Sequence, residues 1–368
     1  MDESLQNNEW ISTFQGLRGI AILLIFISHC RFSNNRFDQN ATSWFGAAGV
    51  SLFLILSGYL FYLKTEQQSI DRKFIQKHIG KKLKKLYPLH LFTFFISVPF
   101  YTSILLSSNL FIRNSITVLC NLLLLQSWVP YSEIYFSFNA VSWFLSTILS
   151  TEMIVLFLTK LTKGMRKKKC TKEITTFTIL CYLLLACIFN FIIFLIPFSH
   201  KFNLHWFVYI FPITRIIDFS LGGGIFLLRK RLSNISEKNI NIICLINLAI
   251  YFLLLIISCN IQGNMEWFSA AVWSLPSGLL VLILSLGNEK SKMIKSLFEN
   301  NIVQFLGSIS YELCMFHYIV LLLADRLLNN GILPVNYKNI IYILSLFISM
   351  GLAVIYKEFI QISSHRKD

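Results

Sequence analysis

The chain has 368 residues, of which 55% are hydrophobic and only 14% are charged, and its mean hydropathy is +0.62. Such a composition excludes an ordinary soluble domain and predicts an all-α, polytopic membrane protein folded as a helical bundle. The net charge of +15 is spread over runs that apolar segments separate, without a recognition module, so we expect no nucleic-acid partner.

Apolar runs long enough to cross a bilayer recur along the chain. We predict about ten transmembrane helices, at residues 14–30, 46–63, 89–108, 140–159, 174–197, 206–228, 241–259, 267–286, 302–323 and 338–356. The first lacks a cleavage pattern and is interpreted as a retained span. The connection 109–139 is too weakly apolar to span and is interpreted as an interfacial or re-entrant piece. Residues 1–368 are expected to form a single domain.

Basic residues orient these spans. Alternate connections carry 25 Lys and Arg residues, whereas the opposite connections carry five. By the positive-inside rule this asymmetry places both termini in the cytoplasm.

The first predicted helix, FQGLRGIAILLIFISHC, carries Arg18 near one end and His29 at the other. Eleven residues are three helical turns plus roughly 20°, so both side chains lie on one stripe, about 16 Å apart along the axis. An ionisable pair inside a span indicates a functional site. An interfacial arrangement, with Arg18 snorkelling and His29 among headgroups, explains the same residues.

A dense basic run precedes the third predicted span, where Pro88 is well placed to begin the helix. Its lysines are Lys77, Lys81, Lys82, Lys84 and Lys85. Such a cluster suits anionic membrane lipid, and it equally suits a phosphate-rich donor such as a nucleotide or coenzyme A.

Other ionisable residues fall inside predicted spans. Glu152 is expected at a depth comparable to Arg18, so the two either form a buried pair or handle substrate. Arg215 and Asp218 are three residues apart on one helix face and are expected to neutralise each other. The glycines at 222–224 after them either weaken the helix or permit close packing.

His29 and His317 are predicted at similar depth on different spans, which favours a shared polar site. The chain shows no Ser-His-Asp order, P-loop or zinc-ligand spacing, and we expect no metal. Intramembrane polar residues with a basic mouth suggest movement of a group, or of a whole molecule, from an anionic cytosolic donor toward an outer acceptor.

Six segments in order resemble the integral-membrane acyltransferase family 3. They are FQGLRGIAILLIFISH, GVSLFLILSGYL, KKLKKLYPLH, SWFLSTIL, YIFPITRIIDFSLGGG and LGSISYELCMFH. The resemblance implies an O-acyltransferase of the bacterial cytoplasmic membrane. It would move an acyl group, usually acetyl, from acyl-coenzyme A to a hydroxyl of a surface polysaccharide or its lipid-linked precursor.

The resemblance also implies site residues. Arg18 and His29 would be the catalytic pair, with His29 as base or acyl relay. Lys81, Lys82 and Lys85 stand where the family usually has arginines that meet coenzyme phosphates, and lysine binds phosphate without a bidentate fork.

Further positions carry over as a substrate or structural polar site. Arg215 matches its motif, Asp218 stands where glutamate is commoner, and Trp143 carries over. Glu152 is included only as a polar residue, not as a catalytic one. Tyr311 and His317 lie in the closing segment. An exporter of a polysaccharide or organic acid is the alternative, since polar residues along a path serve transport equally.

Overall fold

The computed structural model shows helices joined by turns, and the described residues contain no strand, which confirms the all-α class. The description covers residues 11–30, 32, 36–66, 68–101, 111–165, 203–232, 234–260 and 266–365. The predicted span at 174–197 lies outside these ranges.

The α-helices of the described ranges are numbered here in chain order. They are α1 (Ser12–His29), α2 (Arg36–Thr65), α3 (Arg72–Ser97), α4 (Phe111–Leu122), α5 (Ser132–Tyr135), α6 (Trp143–Met165), α7 (Pro212–Arg229), α8 (Glu237–Asn260), α9 (Glu266–Gly287), α10 (Lys292–Phe298), α11 (Asn301–Ser308), α12 (Ser310–Asn329) and α13 (Lys338–His365). A π-helical turn, Trp206–Ile210, precedes α7.

Six segments of the described chain are long and apolar enough to cross a membrane, and they cover all or most of α1, α2, α6, α7, α8 and α13. Two bent pairs raise the number to eight if each pair is one span. These pairs are α9 with α10, bent by 119°, and α11 with α12, bent by 77°. The chain is therefore a multi-pass membrane protein, while the count of ten and the orientation of the termini stay predictions.

In its described residues, 98–101 and 111–142, the connection between α3 and α6 contains only short helices. Helix α4 has 12 residues and α5 has four, and neither reaches spanning length. This agrees with the expectation that residues 109–139 do not cross the bilayer.

Helices α2 and α7 pack backbone against backbone. A Cβ added at Gly58 would overlap the carbonyl oxygen of Phe219, and one added at Gly222 would overlap that of Ile55. Small residues let membrane helices approach this closely, and van der Waals contact then stabilises the pair. The close-packing interpretation of the 222–224 glycines is confirmed at Gly222.

Helix α1 packs against α2 through a similar close approach at two glycines of α2. A Cβ at Gly49 would lie 2.7 Å from the Ala21 carbonyl oxygen, and one at Gly46 would lie 2.7 Å from the Ser28 hydroxyl. The last turn of α1, which carries His29, is therefore held directly on α2.

Helix α3 differs from the sequence prediction. Pro88 lies inside this helix rather than at its start, so the basic run and the apolar segment after it form one 26-residue helix. The helix begins instead at Arg72, after the N-cap residue Asp71, whose side chain accepts a hydrogen bond of 2.7 Å from the Phe74 amide. A strong cap upstream, together with tertiary packing, outweighs the single hydrogen bond that the proline removes.

We expect Gly58→Ala to lower the free energy of unfolding by about 2 kcal/mol or more, because the new methyl group forces α2 and α7 apart. Thermal unfolding of the purified protein in detergent measures the loss. Gly80→Ala is the matched control, since a Cβ there meets nothing within 4 Å. Equal melting temperatures for the two variants would contradict the packing argument.

Candidate active site

Two histidines meet where α1 ends. The rings of His29 and His317 lie edge to face with centroids 5.1 Å apart, and His317 Nε2 is 3.4 Å from His29 Nδ1. Each Nδ1 also lies near a carbonyl oxygen of its own helix, at 2.8 Å from Ile25 for His29 and 3.1 Å from Leu313 for His317. The structure thus brings together the two histidines for which the sequence predicted a similar depth.

The Ile25 contact fixes the protonation pattern of the His29 ring. A carbonyl oxygen only accepts hydrogen bonds, so His29 Nδ1 carries the hydrogen and donates it to Ile25. In the neutral ring, Nε2 then keeps the lone pair. His29 is therefore set up with Nε2 as a base or nucleophile.

His29 lines a cavity of about 200 Å³. Half of its twelve lining residues carry an aromatic or imidazole ring, and the others are small or aliphatic. The lining includes Phe136, Trp143, Phe144, His205, Tyr209 and Cys314. Trp143, singled out from the sequence, is thus a wall of the same cavity as His29, and its ring lies 5.2 Å from that of Tyr209.

Part of the cavity wall comes from the connection between α4 and α6, which supplies Phe136. Buried hydrogen bonds anchor this connection on two helices. Asn139 Nδ2 donates to the Met315 carbonyl at 2.9 Å, and the Ser127 and Ser146 hydroxyls pair at 2.6 Å. The wall is therefore a packed part of the bundle.

The expected pair between Arg18 and Glu152 is wrong. Glu152 is buried and instead binds His78, at 2.6 Å, and Lys82. Arg18 makes no hydrogen bond or ion pair with any residue in the described ranges. The physical reason is that the continuous α3 helix presents His78 and Lys82, one turn apart, to the carboxylate on α6.

His78 is uncharged in this cluster at neutral pH. Burial, followed by the charges of Lys64 and Lys82, lowers the pKa of His78 to about 4. The neutral ring donates from Nε2 to Glu152, while Lys82 supplies the balancing positive charge. The cluster therefore holds one carboxylate, one ammonium and one neutral donor.

The lysines carried over from the resemblance divide between two faces of α3. Lys82 is half-buried against Glu152, whereas Lys81 and Lys85 are exposed and lie one turn apart. Tyr311 lies close by, because its hydroxyl donates to the Leu86 carbonyl at 2.6 Å. Lys81 and Lys85 are thus the members of the set whose charge faces outward.

Arg215 and Asp218 form the buried ion pair predicted from their spacing, with an N–O distance of 2.9 Å. Ser274 donates a hydrogen bond to Asp218, and the Arg215 guanidinium lies 5.5 Å from the centre of the Tyr209 ring. Since Tyr209 lines the cavity, the pair supports that wall from behind.

A family model described as an acyltransferase domain matches residues 11–357, which is nearly the whole chain. The chain belongs to acyltransferase family 3. Membership of this family supports acyl transfer as the reaction class of the chain.

A curated protein named acyltransferase MdmB, from Streptomyces mycarofaciens, is 30% identical to this family 3 member over 144 residues. The match covers 37% of this chain and 36% of the relative, so it spans about a third of each. No solved structure matches the chain.

Sequence reasoning missed three residues of this family 3 protein that the structure places at the site. His205 and Tyr209 line the cavity, and His78 binds Glu152. His205 and Tyr209 stand among other aromatic residues, where nothing local distinguishes them. His78 does carry a signal, since it precedes Lys82 by one helical turn.

We expect Glu152→Leu to lower the free energy of unfolding by about 2 kcal/mol or more, because Lys82 then keeps a half-buried charge without a partner. Adding Lys82→Met should recover much of the loss. Thermal unfolding of wild type, both single variants and the double variant measures the coupling. Strictly additive losses would rule out the pair as a stabilising contact.

Proposed function

We propose that the protein transfers an acyl group, most often acetyl, from cytosolic acyl-coenzyme A to a hydroxyl of a surface carbohydrate or its lipid-linked precursor. The bacterial cytoplasmic membrane is the proposed location. The observation that carries the proposal is His29, which lines a cavity together with Trp143 and Tyr209 and has its Nδ1 bound to the Ile25 carbonyl. Membership of the family supplies the reaction class.

In the proposed chemistry, His29 Nε2 takes the proton of the acceptor hydroxyl. The hydroxyl oxygen forms the ester bond to the acyl carbon, and the bond from that carbon to sulfur breaks. The coenzyme A thiolate leaves, and the proton stays on His29 until the thiolate takes it up. A route through a transient acyl-histidine begins at the same lone pair. Both routes need Nε2 unprotonated, which the Ile25 contact favours.

Arg18 is the proposed partner of the donor inside the bundle. It lies on the same helix as His29, about 16 Å along the axis, and no described residue neutralises its charge. A cation kept in a span without a counter-ion is costly, which favours an anionic or strongly polar ligand. Coenzyme A carries strongly polar amide groups between its phosphates and its thioester.

The exposed lysines of α3 are the proposed docking point for the phosphates of the donor. Lys81 and Lys85 lie one turn apart on the exposed face, so two ammonium groups can meet one phosphate cluster. Lys82 has a smaller proposed part, because Glu152 already neutralises it. Anionic membrane lipid remains a further proposed ligand of the same face.

We expect His29→Gln to abolish acyl transfer, with a fall of at least about a thousandfold, because glutamine offers neither a base nor a nucleophile. The measurement is incorporation of label from radiolabelled acetyl-coenzyme A into the glycan fraction of membranes, at matched expression. His90→Gln is the control, since His90 is buried on α3 and bonds to the Asn121 carbonyl.

Two outcomes contradict the proposal. Undiminished labelling with His29→Gln removes His29 from the chemistry. No labelling with wild type, across acetyl and succinyl donors and with the native acceptor present, removes the proposed reaction and favours the exporter.

We expect the double variant Lys81→Gln/Lys85→Gln to raise KM for acetyl-coenzyme A about tenfold while kcat stays unchanged, because the lysines act on binding. The wild-type KM should rise with salt, and the variant should respond less. Lys238→Gln/Lys292→Gln, which removes two exposed lysines on α8 and α10, is the charge-matched control. A fall in kcat without a change in KM would place these lysines elsewhere in the mechanism.

A further inference from the structure

We propose that His317 is a positioning residue that accepts a hydrogen bond from His29 and stabilises the positive charge that His29 gains when it takes the acceptor proton. The inference rests on the proposed function and adds a second histidine to it. It is carried by the geometry of two rings and two carbonyl oxygens.

The direction of the hydrogen bonds around His317 follows from its helix. Its Nδ1 lies 3.1 Å from the Leu313 carbonyl oxygen, which only accepts, so Nδ1 carries the hydrogen. The neutral ring then has its lone pair on Nε2. That atom is the one 3.4 Å from His29 Nδ1.

His29 Nδ1 therefore has three acceptors within reach, namely the Ile25 carbonyl at 2.8 Å, the Ser28 hydroxyl oxygen at 3.4 Å and His317 Nε2 at 3.4 Å. The Ile25 oxygen is already shared, because the Ser28 hydroxyl also donates to it at 2.6 Å. The imidazole nitrogen of His317 is the most basic of the three acceptors, so its contact gains most when His29 becomes charged.

Burial makes this contact effective. His317 is fully buried, and its ring packs against Phe26, with centroids 6.0 Å apart. A hydrogen bond from a charged donor is stronger than one from a neutral donor, and it is strengthened further where water is excluded. When His29 Nε2 takes the proton, its Nδ1–H becomes such a charged donor. His317 therefore favours the protonated intermediate over the resting ring.

The test compares three variants at His317 with wild-type protein in nanodiscs. His317→Phe and His317→Leu remove the acceptor, whereas His317→Gln can present an oxygen near the former Nε2 position. We expect kcat to fall about tenfold to a hundredfold in the first two and less than threefold in His317→Gln, with KM for acetyl-coenzyme A unchanged. His317→Leu decides the result if the phenylalanine variant does not fold.

A matched control removes a buried histidine elsewhere. His90→Phe loses a hydrogen bond of 2.9 Å to the Asn121 carbonyl, and His90 is not among the residues that line the cavity. We expect it to change stability while kcat of the folded fraction stays at the wild-type value. This separates the loss of a buried histidine in general from the loss of the acceptor beside His29.

A second readout does not depend on turnover. In protein labelled with ¹⁵N-histidine, the signal missing from His29→Gln identifies His29. Its Nδ1 resonance should move in His317→Phe or His317→Leu and stay near its wild-type position in His90→Phe.

The outcomes separate the two proposals. An active wild type whose kcat is unchanged in His317→Leu, or falls equally in His317→Gln, overturns the role of His317 and leaves the proposed function standing. An inactive wild type overturns the proposed function, and an unmoved His29 resonance then overturns the contact itself.

Discussion

The backbone contact of α2 with α1 and α7 is the constraint on which the rest of the structure depends. Apolar burial does not drive helix association in a bilayer as it does in water, so close van der Waals packing has to hold these helices together. Gly58, Gly222 and Gly49 permit that packing because each faces a carbonyl oxygen of the neighbouring helix. The α1–α2 contact sets the position of Ile25 and His29, and the α2–α7 contact sets the start of α7 beside Tyr209.

The charged residues inside the bundle fall into two groups, those that form ion pairs and one that does not pair with any described residue. Arg215 with Asp218, and Lys82 with Glu152, form pairs that remove most of the cost of leaving water. Arg18 has no such partner among the described residues. A buried ion pair is neutral as a whole, so its presence inside the bundle needs no ligand to explain it. The presence of an unpaired cation there does need a further explanation. This contrast is the reason for proposing that Arg18 meets an incoming group, whereas the two pairs are parts of the framework.

Residue spacing in the sequence predicted contacts within one helix correctly. It did not predict contacts between residues that are far apart along the chain. The Arg215–Asp218 pair follows from a separation of three residues, and the shared depth of His29 and His317 follows from two apolar runs. The partner of Glu152 did not follow, because depth alone cannot choose between Arg18 and the residues of α3. The aromatic residues that line the cavity could not be identified from the sequence either, since in a chain with 34 phenylalanines no single aromatic residue stands out.

Helices α8 and α13 lie largely on the outside of the bundle, with only 17% and 22% of their spanning segments buried. Most of their outward side chains are large and apolar, so length and apolar character are the main properties that these faces must keep. Exchange among leucine, isoleucine and phenylalanine should be almost neutral there, and these helices should diverge fastest as related chains evolve. A side chain added at Gly58 would change the spacing of the helices, and a substitution at His317 would remove the ring that contacts His29. Sequence identity between relatives should therefore concentrate around α1, α2, α7 and α12.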